Sequence, residues 1–159
     1  MKNATVFIAS SSELKKARIE LVDLLQDLKY KVGGEEITFK PVLWEFMDSS
    51  MGKTRKEDEY LEALRRCDIC LVLFWHTLGE YTVEELNIAV SERALGKKPK
   101  HIFVFFKEPA GEVSSELKDF KQNFTLIYPD IPKYIFADEK TLRDTVASIF
   151  QGRSNTFVQ

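Results

Sequence analysis

Residues 67–75, CDICLVLFW, form the most apolar run of the chain, and their reading decides the fold. The run shows no alternation of polar and apolar positions. That is the pattern of a strand buried on both faces, as in the middle of a parallel sheet with helices above and below. Working outward, residues 82–96, TVEELNIAVSERALG, carry apolar side chains at helical spacing, with Thr82 as the expected N-cap and Gly96 as the stop. Upstream, residues 4–10, ATVFIAS, read as a strand that opens through serines into a helix marked by Leu14, Ala17, Leu21, Leu24, Leu25 and Leu28. KVGGEE supplies turn glycines, and residues 37–46 read as a second strand, irregular or near an edge because of Pro41. A polar stretch becomes helical through Tyr60, Leu61, Leu64 and Cys67. Residues 100–107, KHIFVFFK, are a further buried strand. A helix capped by Ser114 or Ser115, a short strand PKYIFAD and a helix over 139–152 complete the pattern.

Five strands alternating with five helices imply right-handed βαβ units. The expected fold is α/β, a five-stranded parallel sheet of flavodoxin-like order 2-1-3-4-5 with helices on both faces. One domain spans residues 1–152, and residues 153–159 read as a tail or the start of a linker. The 159 residues, 44% hydrophobic and 12% aromatic, hold enough apolar material for one core. With 23 basic and 25 acidic residues there is no global positive field, which disfavours nucleic acid as the main partner. No apolar stretch approaches the roughly 20 residues of a membrane span, so the expected location is cytoplasmic.

In such a sheet the functional crevice lies outside the carboxyl ends of the strands, where the order reverses between the first and third. That points to residues 10–13, 45–55 and 75–85. Cys67-x-x-Cys70 runs from a helix end into a strand, the reverse of a thioredoxin-type motif, and is read as core packing. With only His76 and His101 as histidines, no metal site is expected. Gly52-Lys53-Thr54 echoes a phosphate-binding loop, but the position that needs glycine is Met47 and the loop does not follow the first strand, so a Walker motif is rejected. Ser10, Ser11 and Ser12 could cradle phosphate or ribose oxygens at a helix start, and serines are also common N-caps. Glu84 and Glu85 lie about 100° apart on a helix and cannot form a carboxylate pair; at most one faces the crevice. Tyr81 precedes Glu85 by four residues. First-turn acids are also favoured by the helix dipole, which is the competing explanation for both glutamates.

These residues, VFIASSSE, CDICLVLFW, YTVEELNIAV and HIFVFFK, give the chain a resemblance to bacterial TIR and TIR-like domains. In enzymes of that family an aromatic residue, three positions and then Glu-Leu-x-x-(Ala/Ile) mark the helix after the third strand. Tyr81 and Glu85-Leu86-Asn87-Ile88-Ala89 match that spacing, and Glu84 matches less well. The resemblance implies an NAD+ nucleosidase of EC 3.2.2 type that cleaves the nicotinamide–ribose bond, with Glu85 catalytic. Water or the adenine end of the same molecule then captures the sugar. It further implies NAD+ contacts from Ser10, Ser11, Ser12, Trp44, Trp75 and Tyr81, NAD+ as substrate and no required cofactor. Self-assembly into a homo-oligomer through the 47–55 loop and a sensor domain or nucleotide signal in anti-phage immunity would follow. Two features depart from the family: tyrosine stands for the usual tryptophan at position 81, and no basic pair follows the first strand. The alternatives are a non-catalytic TIR interaction module and a nucleoside deoxyribosyltransferase-like N-glycosidic enzyme, whose motif has glycine where this chain has Asn87. A response-regulator receiver is a weaker analogy, since no acidic cluster follows the first strand.

Overall fold

A computed structural model describes residues 2–42 and 53–158, with side chains of residues 53–58 and 158 left aside. The strands are β1 (Lys2–Ser10), β2 (Lys29–Val32), β3 (Glu35–Pro41), β4 (Ile69–Phe74), β5 (His101–Lys107) and β6 (Lys133–Phe136). The helices are α1 (Lys15–Asp27), α2 (Lys53–Arg66), α3 (Glu80–Ala94), α4 (Ser115–Ile127) and α5 (Glu139–Arg153). Five helices alternate with the strands as their apolar periodicity predicts.

The sheet corrects one expectation. It has six strands in the order β2-β3-β1-β4-β5-β6, and it is mixed, because β2 pairs antiparallel with β3 at one edge. The remaining five are parallel to their neighbours, in the expected order. The added strand comes from the segment read as a helix end. Helix α1 stops at Asp27, and Lys-Tyr-Lys-Val then alternates, Tyr30 and Val32 packing on the core. Gly33 and Gly34 both take positive φ, 59° and 83°, the backbone a two-residue hairpin turn requires and only glycine adopts freely.

β4 is the central strand that its sequence predicts. All six residues are buried, and they alternate between two cores. Ile69, Leu71 and Leu73 face the side covered by α1 and α5, together with Phe103, Phe105 and Phe150. Cys70, Val72 and Phe74 face the side of α2, α3 and α4, together with Leu64, Leu86, Phe106 and Phe124. Both thiols are free and buried, and burial pushes Cys67 up to about 12 and Cys70 well above its ordinary range. At those values neither is a thiolate near neutrality, in keeping with a packing role.

Residues 153–158 pack on the core. Arg153 ends α5, a 3-10 turn covers Ser154–Val158, and Phe157 is buried against Phe39, Phe150 and His101. Apolar burial at position 157 outweighs the polar, turn-prone Ser-Asn-Thr before it. Among the described residues, no helix is long and apolar enough to cross a membrane.

Candidate active site

Strand order reverses between β1 and β4, and their carboxyl ends carry Ser10 and Phe74-Trp75. Three connections meet there: residues 11–14 after β1, 75–79 after β4 and 108–114 after β5.

Glu13 ties the first two together. Its carboxylate accepts from Thr77 Oγ1 at 2.9 Å, Thr77 N at 3.1 Å, His76 Nδ1 at 3.1 Å, His76 N at 3.2 Å and Ser11 Oγ at 3.3 Å. Burial pushes this carboxyl upward, but the Thr77 and His76 hydrogen bonds outweigh it and hold the group below the usual carboxylate range. His76 carries the link to the third connection. Its Nε2 accepts from Ala110 N at 3.1 Å and its carbonyl from Ser114 N at 2.9 Å, so the ring donates through Nδ1 to Glu13. Ser114, one of the two expected caps, is the N-cap of α4, accepting from Leu117 N.

The serines are used differently from the expected phosphate cradle. Arg18 of α1 donates to Ser10 Oγ at 2.8 Å and Ser11 O at 3.1 Å, while Ser11 Oγ serves Glu13. Ser11 precedes a 3-10 turn, Ser12–Leu14, and makes no side-chain capping bond, while Ser12 is exposed. Trp75 is engaged as well: its Nε1 donates to Glu108 O, its ring stacks on His76 at 4.2 Å, and Lys107 Nζ lies 4.0 Å from its centroid. Trp44 and residues 47–52 lie outside the described residues.

Helix α3 begins earlier than its sequence predicts. Its N-cap is Gly79, whereas the expected cap, Thr82, is buried within the first turn. A Cβ on Gly79 would stand 3.1 Å from Thr82 Oγ1 and 3.4 Å from Ser11 Cβ, so the helix start presses against the loop after β1. This close approach favours a glycine cap and moves the cap three residues earlier, from Thr82 to Gly79. Glu80 is then the first-turn acid, and Glu84 and Glu85 fall in the second turn. The helix dipole weakens beyond the first turn, so it accounts for Glu80 and leaves the other two unexplained.

Glu84 is exposed and Glu85 half-buried, as the 100° separation requires. Tyr81, at 45% exposure, opens the helix one turn before Glu85. Burial pushes Glu85 up to about 7, the neighbouring charge of Glu84 adds to the shift, and the Arg18 charge opposes it. The Cys70 thiol on β4 in turn feels the Glu85 charge, so that carboxyl lies on the side of α3 that faces the sheet. Among the described residues Glu85 accepts no hydrogen bond, and no fully enclosed side-chain oxygen is left unpartnered, so its largely buried carboxyl keeps only partial contact with solvent. A poorly solvated carboxylate without donors has unspent capacity to stabilise a positive charge brought to it.

Of the sequence-derived candidates, the structure gathers Ser10, Ser11, Trp75 and Glu85 at the carboxyl ends of β1 and β4. Glu13 and His76 lie in segments that the strand order singles out, but only the structure shows their link. Arg18 sits within α1, where a basic residue carries no distinguishing signal in the sequence. No cluster of three or more potential metal ligands occurs among the described residues.

No protein-family model matches the chain, and no curated protein matches it. Among solved structures, the chain is similar to the CMP N-glycosidase BcmB of Clostridium botulinum, with a TM-score of 0.59 and 18% identity. The similarity covers 91% of this chain and 98% of that one, and at this identity it speaks to the fold.

Proposed function

We propose that the protein hydrolyses an N-glycosidic bond of a nucleotide, with Glu85 stabilising the cationic sugar. The observation that carries this reading is the half-buried Glu85 carboxyl, raised to about 7 and without a donor, at the crevice where strand order reverses. Likeness in fold to a CMP N-glycosidase along almost the whole of both chains supports the same reaction class.

The sugar would lie across the ends of β1 and β4 with C1′ toward Glu85. As the C1′–N bond breaks, its electron pair leaves with the base, and positive charge develops on C1′ and the ring oxygen. Ionised Glu85 opposes that charge at short range in a site of low polarity. Water adds to C1′ and its proton ends on the departing base, giving free base and the 5′-phosphorylated sugar. Arg18, held on Ser10 and Ser11, supplies a counter-charge that helps keep Glu85 ionised.

CMP is the first substrate to assay. NAD+ carries a bond of the same kind, and the spacing of Tyr81 and Glu85-Leu86-Asn87-Ile88-Ala89 supports it as the second. The test is release of free base from CMP, other nucleoside monophosphates, deoxynucleosides and NAD+, comparing wild type with Glu85→Gln at high protein concentration. Loss of cleavage in the variant is expected. Equal turnover by both proteins would remove Glu85 from the reaction, and preference for NAD+ over CMP would select the narrower TIR-like reading.

A further inference from the structure

At the opposite end of the sheet, where β5 and β6 begin and α3 and α5 end, a cleft of about 350 Å³ opens. Arg93, Lys100, His101 and Arg153 line it, with Asp130 as its one carboxylate. None of Arg93, Lys100 or Arg153 pairs with a carboxylate of a described residue. Arg93 spends only its Nε, on the Lys100 carbonyl at 3.2 Å, and the Arg153 guanidinium rests 5.2 Å from the Phe103 ring centroid.

Arg93 and Arg153 each stand in the last turn of a helix, where a cation offsets the dipole. That effect is too small to account for the group. Two helix ends contribute about half a negative charge each and Asp130 one more, against three full positive charges, leaving an excess of about one. His101 senses the same field: burial, then Arg153, with Arg93 and Lys100, hold it below its ordinary value despite Asp68. Converging cations that the protein's own negative charge offsets only in part, two of them guanidinium forks suited to phosphate oxygens, fit an anionic ligand. Pro129 and Pro132 add a stiff, less polar wall, and the volume admits a molecule the size of a mononucleotide.

We propose that this cleft binds an organic phosphate of mononucleotide size, its phosphate held among Arg93, Lys100 and Arg153. The site is separate from the β1–β4 crevice and does not depend on the role assigned to Glu85.

The test titrates AMP, adenosine and inorganic phosphate into the full chain carrying Glu85→Gln, followed by amide resonances. AMP is expected to shift the resonances of residues 100–103, 130 and 131, at sub-millimolar to about millimolar affinity that weakens with salt. Adenosine should leave them in place. The double variant Arg93→Gln/Arg153→Gln should weaken that binding at least about tenfold, a loss of about 1.4 kcal/mol, while Lys118→Gln on exposed α4 leaves it unchanged. Lys100→Gln, which alters no helix end, should weaken it in the same direction if the double variant folds poorly. Shifts confined to residues 10–13 and 76–80, persistence in Lys100→Gln, or equal loss in Lys118→Gln would each overturn the site. Equal affinity for AMP and inorganic phosphate would overturn the organic part of the assignment.

Discussion

Glu13 and Glu85 stand on the rim of the same crevice and differ in what surrounds them. Glu13 accepts five hydrogen bonds from Ser11, His76 and Thr77 and is held below the ordinary carboxylate range, although burial pushes it the other way. Glu85 is half-buried, accepts none among the described residues, and is pushed up to about 7. Burial penalises the charged form of both; donors decide whether the penalty is repaid. A carboxylate whose acceptor capacity is filled by its own protein holds loops in place, and one left unfilled is available to a ligand.

The largest expected effect tests the second half of that contrast. Glu85→Gln should lower N-glycosidic cleavage by roughly 10²–10³-fold or more, the scale of losing one preorganised electrostatic partner of the transition state. Initial rates of base release measure it. The same residue should act on stability in the opposite sense. The folded pKa of Glu85, about 7, exceeds its ordinary value of 4.5, so between those values the folded protein retains a proton that the unfolded chain has lost. The resulting stabilisation is complete below about pH 4.5 and disappears as pH rises through 7. Glu85→Gln, uncharged throughout, should therefore match wild type near pH 4 and exceed it above pH 8 by on the order of 2–3 kcal/mol in urea unfolding. A constant difference across that range would show that Glu85 is not desolvated, and the contrast with Glu13 would collapse.

Glu13→Ala should cost about 1–3 kcal/mol near neutrality, because donors of His76 and Thr77 lose a charged acceptor and water replaces it only in part. Glu13 has the reverse linkage. Its folded pKa is depressed, so its contribution is present above the unfolded value and fades as pH falls through the folded one. The gap between wild type and Glu13→Ala should therefore close in acid. A mutational cost that is the same at every pH would place the effect in packing. The smallest effect concerns Arg18, whose charge lowers the pKa of Glu85. Arg18→Gln should move the acid limb of the pH–rate profile toward higher pH, whereas Arg18→Lys should leave it near its wild-type position. If both variants shift it alike, the anchoring on Ser10 and Ser11 matters more than the charge.

Much of this molecule is written in local patterns. The unbroken apolar run at 67–75 predicts a strand buried on both faces, and β4 is that strand, because a residue without polar partners is stable only where helices cover both sides. Helical geometry alone separates Glu84 from Glu85, since adjacent residues cannot share a face. The hairpin was legible too. Lys-Tyr-Lys-Val before Gly33-Gly34 alternates with period two, but the leucine periodicity of α1 runs into it, and short segments obey whichever neighbour packs better.

Other features came only with the fold. Thr82 has the chemistry of an N-cap, yet contact between Gly79, Ser11 and Thr82 starts α3 at Glu80 and places Glu84 and Glu85 beyond the first turn. The serines resemble a phosphate cradle until Arg18, from the next helix, and Glu13 take up the hydroxyls of Ser10 and Ser11. Phe157, near the chain end, joins aromatic rings from β3 and α5. The sequence by itself determined the strand and helix alternation, the reversal point of the sheet and the separation of Glu84 from Glu85. The tertiary structure decided which polar groups were already satisfied. Periodicity reports what a residue does with its neighbours along the chain, but hydrogen bonds and desolvation depend on groups brought together from distant segments.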